Sequence, residues 1–391
     1  MKFSQTSDVI IGVDATNIRA GGGVTYLTEV LAVALPENFG INKVVIWGNA
    51  QVLAKIPPKP WLKKIVNLPL DSNLISRTCW QVFKLSKEAT SQKCSVLWVP
   101  GGSYFGWFKP FVTMSMSMLP FEFKENRRYG ISIAFFKQLL LKYTQSSSFS
   151  RADGVLFLSE YARRSVEKVT GLLRGDVFVA AFGINRQFYH KPRQQRSIKE
   201  CSNINPFRIL YLSFVGPYKH QWNVVEAVYL LRKRGYPVVL DLVGPLEHKP
   251  SVVRLHKTID RNDPDHSWSF IHGSIPYSDL VHFFLRADLF VFASSCENFP
   301  NILVESMASG LPIACSNRGP MPEILGDAGV YFDPENPSDI ERVLNQYITS
   351  LVLRSSMSQS SYELSKLYTW ERCADQTFRA LSEIASKGHV A

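Results

Sequence analysis

Two short apolar runs without polar alternation constrain the fold most: DVIIGVD at 8–14 and FRILYLSFVG at 207–216. A strand with one wet face alternates apolar and polar residues. A strand that does not alternate is buried on both faces, as in a parallel sheet held between helices. Each run opens a half of the chain in which further strand-like and helical segments follow. SRADGVLFLSE at 150–160 and LRADLFVFASS at 285–295 even echo each other in wording. The expected fold class is therefore α/β, with two Rossmann-like, doubly wound parallel-sheet domains. Such sheets bind ligands beyond the carboxyl ends of their strands, and two facing each other make a cleft.

The first domain is expected over residues 1–190 and the second over 207–369. Between them HKPRQQRSIKECSNINP (190–206) is polar and basic, without apolar periodicity, and 191–206 reads as a linker. The tail TWERCADQTFRALSEIASKG has Trp370, Ala374, Phe378, Leu381 and Ile384 at helical spacing, with Thr369 as N-cap. A helix over 370–388 must bury that stripe, and the first domain is the expected surface.

The six cysteines are scattered without a CxxC pair, which reads as reduced thiols and neither a disulfide frame nor a zinc site. No apolar run reaches the roughly 18–20 residues that a membrane span needs. Asp8 and Asp14 flank the short N-terminal run, so it does not read as a signal peptide and a cytoplasmic protein is expected. The formal charge of +11 lies wholly before residue 191, where 23 basic residues meet 12 acidic ones; the remainder balances at 21 each. Such asymmetry concerns association, not fold.

The segment ENFPNILVE (297–305) follows the apolar run LFVFASS and precedes SMASGLP. Pro300 suits a first helical turn, and Gly310 with Pro312 suits a helix end. Glu297 then sits on the strand-to-helix loop and Glu305 about one turn into the helix. Between them the free N–H groups near Asn301 and Ile302 offer an anion site. Carboxylates on either side accept hydrogen bonds from hydroxyls. Phosphate in the middle and hydroxyl-rich groups on both flanks describe a nucleotide sugar.

The block from Glu297 to Ile340 resembles the donor-binding region of family 4 retaining glycosyltransferases of the GT-B fold, whose signature is two glutamates with seven residues between them before a small-residue helix end. The resemblance continues through 209–244 and 271–280, and more weakly through 20–35 and 152–163. It implies that Glu297 contacts the donor sugar and Glu305 the ribose. Asn298, Phe299, Pro300, Asn301 and Ile302 line the donor site, with amides of the last two on the diphosphate. Lys219 neutralises that diphosphate as it leaves. The glycine loop at Gly22 and Gly23 lets backbone approach the diphosphate, and His272 lies near the nucleotide base. No metal or other cofactor is implied. Two departures stand out. The arginine usual before the matched lysine is replaced by Ser213 or Phe214, with His220 or Arg318 as candidate substitutes. Phe182 stands where a histidine is common. Asp263-Pro264-Asp265 reads as a solvated turn, not a metal site, and Glu323 as a helix-start residue.

Residues 124–143 mix Lys124, Arg127, Arg128, Lys137 and Lys142 with Phe135, Phe136 and Leu139–Leu141. Core packing and docking on an anionic membrane both fit this stretch. The expected function is a metal-independent, retaining hexosyltransferase. It would move sugar from a nucleotide diphosphate donor to a glycan or lipid-linked acceptor, for cell-surface polysaccharide such as O-antigen, at the inner face of a bacterial membrane. An epimerase-like enzyme and a non-catalytic nucleotide-sugar-binding protein remain as alternatives. Nucleic acid is not an expected partner, because no aromatic-interleaved recognition motif accompanies the basic half.

Overall fold

The computed structural model describes residues 9–66 and 73–388; Asp8, at the head of the first strand run, lies outside them. Two compact units divide the chain. Of the described residues, the first comprises those up to Glu122, Ile131–Gly183 and those from Thr369 to Gly388; the second comprises Phe123–Gly130 and Ile184–Tyr368.

In the first unit β1 (Val9–Asp14), β2 (Ile41–Gly48), β3 (Leu62–Val66), β4 (Val96–Val99), β5 (Phe111–Met114), β6 (Gly154–Phe157) and β7 (Asp176–Val179) form one sheet in the order β3-β2-β1-β4-β5-β6-β7. Every pairing is parallel. Ile11 and Val13, central in β1, have no exposed surface, as the lack of alternation requires. Parallel neighbours need crossovers, and crossovers are right-handed. The steps from β1 out to β3 therefore place the helix Gly22–Val33 on one face. The later steps place the helical run from Leu74 to Ser91, and the helix Ile133–Arg151, on the other.

The C-terminal helix Trp370–Lys387 packs beside Gly22–Val33 in this unit. Thr369 caps it by accepting from Arg372 N–H, and Trp370, Ala374, Phe378, Leu381 and Ile384 are all buried. Tyr26 bonds Thr377 at 2.8 Å, and Phe182 sits against Trp370 at 5.4 Å between ring centroids. Phe182 thus occupies a packed core position. Gly183 is required here, because a Cβ would fall 2.2 Å from the Trp370 nitrogen.

In the second unit β8 (Phe207–Leu212), β9 (Val238–Val243), β10 (Ser269–Gly273), β11 (Leu289–Phe292), β12 (Ile313–Ser316) and β13 (Val330–Phe332) order as β10-β9-β8-β11-β12-β13, again all parallel. The stretch expected as a linker is not free. His190 N–H donates to Ala308 at 2.9 Å, and Gly310, at φ +64°, leaves no room for a Cβ beside His190 and Pro192. Arg193 and Arg196 converge on buried Asp288, at 3.4 and 2.7 Å. The same carboxylate accepts from Arg208 N–H at 2.8 Å. Two basic residues of this stretch thus meet one carboxylate, and the longer run of the second unit begins at Ile184, ahead of the expected linker.

The 124–143 stretch also divides. Phe123–Asn126 is a short helix continued by a 3-10 turn over Arg127–Tyr129; Gly130 at φ +61° ends it. These residues belong to the second unit, where Arg128 holds Glu125 at 2.7 Å and also pairs with Glu335. The helix Ile133–Arg151 starts afresh from the Ser132 cap and belongs to the first unit. Arg127, Arg128, Lys137 and Lys142 therefore do not share one helix.

Asp288→Ala should cost about 2 kcal/mol, since it removes the counter-charge of two half-exposed arginines, which keep only neutral partners, and leaves the Arg208 amide unmet. Chemical denaturation checks the stability, and limited proteolysis should show new cleavage between 190 and 206. Unchanged cleavage would mean the arginines do not hold this strap.

Candidate functional site

The site lies at the carboxyl end of β11 in the second unit. All four β11 residues are buried, and the chain turns through Ser294, Ser295 and Cys296 to Glu297. Pro300 stands at the N-cap, one position earlier than expected, and the helix runs from Asn301 to Ala308. Leu303 N–H returns to the Pro300 carbonyl at 2.9 Å and Asn301 N–H bends back to Phe299 at 3.1 Å. Among the described residues the Ile302 N–H has no such acceptor. No side chain caps this helix and its first turn has no acid, so its positive end stays uncompensated.

Glu305 lies 5 % exposed on that helix. Its Oε1 accepts from the Tyr277 hydroxyl at 2.7 Å, while Oε2 has no partner. Burial drives its pKa up from 4.5 to about 8, against the lowering effect of the Tyr277 bond. Tyr277 is set by its ring edge on Phe188, 5.3 Å away. Asn298 and Phe299 are buried, and the Phe299 ring packs against Tyr368 at 5.8 Å. Asn301 Oδ1 is a second buried acceptor without a partner.

Glu297 pairs with Lys219. Lys219 is 5 % exposed, its Nζ boxed by Phe214, Tyr218 and Phe292 at 4.9, 5.1 and 5.8 Å from their centroids. Rings offer an ammonium their negative faces, but among the described residues it is Glu297 that supplies a full counter-charge. The position of Lys219 is tied to the strand end, since Ser295 N–H donates to the Tyr218 carbonyl at 2.9 Å. His220 follows in the left-handed region, φ +53°, and starts the helix Gln221–Lys233. Its Nε2 meets Ser295 Oγ at 2.9 Å, and that hydroxyl donates to Glu125 Oε2 at 2.6 Å. Burial, then the Arg128 charge, lowers the His220 pKa to about 4, so this imidazole is neutral. His220 therefore brings no charge in place of the absent arginine, and Arg318 is paired with Asp333 at 3.1 Å.

The structure brings Glu297, Lys219, Glu305, Asn298 to Ile302 and Tyr277 together. His272 Nε2 lies 2.6 Å from Asp241, a buried carboxylate that also holds Arg208 and Arg286, each at 3.2 Å. Gly22 and Gly23 begin the helix of the first unit, but the glycine with left-handed backbone is Gly21, φ +64°. The glycine triplet signalled a tight entry without showing which member makes it. Asp263 is no solvated turn residue: it is buried and accepts from the amides of Ser267, Trp268 and Ser269. Burial opposes its ionisation, yet these bonds and the Ser269 hydroxyl keep its pKa below the usual value. Sequence reading missed Tyr277, although IPYSDL places an aromatic just after β10, and missed Glu125, whose contact spans 170 positions.

Residues 193–364 match the family model for glycosyl transferases group 1, a stretch wholly within the second unit. Two parallel-sheet α/β units, of seven and six strands, make up the fold found in GT-B glycosyltransferases. Sucrose-phosphate synthase from Thermosynechococcus elongatus aligns over 97 % of this chain and all of its own, with a TM-score of 0.70 at 14 % identity. HepE from Anabaena, in complex with UDP, aligns over 96 % of this chain and all of its own, with a TM-score of 0.68 at 16 % identity. By sequence, O-antigen chain mannosyltransferase B of Escherichia coli is 29 % identical over 44 % of either chain. The serotype-specific mannosyltransferase WbdA of the same species is 25 % identical over 58 % of this chain and 28 % of its own length. The matched regions thus span less than half of these curated relatives.

Glu305 gives a pH signature. Between 4.5 and about 8 the folded protein holds a proton there that the unfolded chain has lost. Stability from this group should therefore fall as pH rises through that window and level off above it. Glu305→Gln should remove the slope, and Tyr277→Phe should extend it to higher pH by deleting the bond that lowers the pKa. Thermal melts across pH 4–10 check both; parallel curves for wild type and Glu305→Gln would contradict the assignment.

Proposed function

We propose that this chain is a retaining, metal-independent glycosyltransferase that moves a hexose from a nucleotide diphosphate donor to a glycan or lipid-linked acceptor in cell-surface polysaccharide synthesis. One observation carries the reading: two carboxyl groups, Glu297 and Glu305, flank the uncapped start of the helix Asn301–Ala308, and Glu297 already holds the buried Lys219. The names of the E. coli relatives support a mannosyl donor; the UDP complex of HepE supports a nucleoside diphosphate ligand.

In this reading the diphosphate sits on the helix start, with the Ile302 N–H and the Lys219 ammonium meeting its charge. Glu305 Oε2, the buried acceptor without a partner, takes the ribose hydroxyls. Glu297 takes hydroxyls of the transferred sugar while fixing Lys219. The bond from anomeric carbon to diphosphate oxygen breaks, and the acceptor oxygen bonds that carbon on the same face. The acceptor proton passes to the leaving diphosphate, so no side-chain base is needed. The residues act by holding geometry and by stabilising charge that grows on the leaving group.

Glu297→Ala should lower turnover at least about a hundredfold while changing nucleoside diphosphate affinity little, because its contact matters most as the bond breaks. Glu305→Ala should weaken binding of the bare nucleoside diphosphate about tenfold or more, a loss shared by ground and transition states. Calorimetry with GDP and UDP, and transfer assays with GDP-mannose and UDP-glucose, separate the two effects. Donor binding without transfer to any glycan or lipid-linked acceptor would contradict the enzyme reading, and epimerised donor without acceptor would redirect it.

A further inference from the structure

The first unit carries a surface that the donor chemistry does not use. On the helix Ile133–Arg151, Ile133 is 89 % exposed and Tyr143 76 %, with Phe136 and Leu140 exposed between them. These four fall three or four residues apart and make one stripe. On the helical run Leu74–Ser91, Ile75 and Phe83 are likewise exposed, eight residues and hence about two turns apart. Between the two lies the loop after β4, bonded to both. Gln81 accepts from Phe105 N–H at 3.3 Å, and Ser86 from Trp107 N–H at 3.2 Å. From the other side Ser148 accepts from Tyr104 N–H at 2.8 Å, and Thr144 meets Ser103 at 3.0 Å. That loop exposes Phe105 and Trp107. Both helices lie on the same sheet face and the loop between them is bonded to each, which places their exposed apolar residues and the loop aromatics on one side of the unit. Clusters of exposed apolar residues rimmed by polar ones mark interaction surfaces.

Charge selects the occupant. These three segments (73–91, 100–110 and 131–151) carry Arg77, Lys84, Lys87, Lys109, Lys137, Lys142 and Arg151 against one acid, Glu88. Lys84, Lys87, Lys137 and Lys142 form no ion pair among the described residues. Two copies meeting through this face would set like charges against each other, which disfavours a dimer. Lysines interleaved with Trp, Tyr, Phe and Ile suit a lipid interface, where amines meet anionic headgroups and rings enter the acyl boundary. No helix among the described residues is long and apolar enough to cross a membrane.

We propose that this face of the first unit docks on an anionic bilayer surface. The surface is independent of donor chemistry; it keeps Lys137 and Lys142 of the 124–143 stretch and leaves out Arg128, which Glu125 and Glu335 hold.

The test is flotation of the full chain with phosphatidylcholine vesicles, with and without phosphatidylglycerol, at low and high salt. Wild type should float only with anionic vesicles, and high salt should release it. Each lysine near such a surface carries about a fivefold factor in partitioning. Neutralising Lys84, Lys87, Lys137 and Lys142 to glutamine should therefore cut binding by about two orders of magnitude or more. Phe136→Ser with Leu140→Ser should reduce it at unchanged salt dependence. Lys257→Gln with Arg261→Gln, basic residues of the second unit, should leave it unchanged. Melting temperature verifies that each variant folds. Equal binding to neutral and anionic vesicles, no flotation at low salt, or a vesicle-free dimer lost in the same variants would each overturn the proposal; the last would assign the face to a second copy.

Discussion

A carboxyl group taken out of water needs a proton, a counter-charge or hydrogen-bond donors, and where it finds only part of these it is poised for a ligand. Glu305 is in that position. Its helix is pinned by Leu303 and Met307 in the core, which holds the carboxyl almost wholly out of water. Tyr277 satisfies one oxygen and leaves the other bare. Its neighbours at the helix start are amides, so the same few ångströms hold an unmet acceptor and unmet donors. A ligand with hydroxyls next to phosphate answers both needs, and the rest of the site is organised around that complementarity.

Lys219 and Glu297 solve the opposite problem. An ammonium among three rings is costly unless a carboxylate is supplied, and the strand end supplies Glu297. The left-handed turn at His220 lets the chain pass from Lys219 into the next helix, and the His220–Ser295–Glu125 chain of hydrogen bonds ties that turn to the end of β11. Glu125 arrives from a segment far earlier in the chain. The cationic residue of the site is thus held by contacts made on both sides of the linker region.

Much of this was legible in the residues. Unalternated strands such as IIGV and LFVF declare burial on both faces, and both lie in parallel sheets. Trp370 to Ile384 show one apolar stripe, and it is buried. ENFPNILVE marks a strand-to-helix turn, though Pro300 proved a cap and not a first-turn residue. What was not legible depends on distant partners. Arg193 and Arg196 look like solvated linker charges until Asp288, some ninety residues on, is placed beside them. The partner of His272, Asp241 on the adjacent strand, is likewise invisible in the local sequence. Asp263 looks like a turn residue in water until three amides turn back onto it. Local patterns report period and burial; they carry no information on which buried charge a long side chain will find.

The most direct measurement is a crystal structure of the protein soaked with GDP or UDP. The diphosphate should lie at the start of the helix Asn301–Ala308, accepting from the Ile302 N–H, with the ribose hydroxyls on Glu305 Oε2 and Lys219 Nζ turned toward the phosphates. A nucleotide bound elsewhere, or bound here with its ribose away from Glu305, would contradict it.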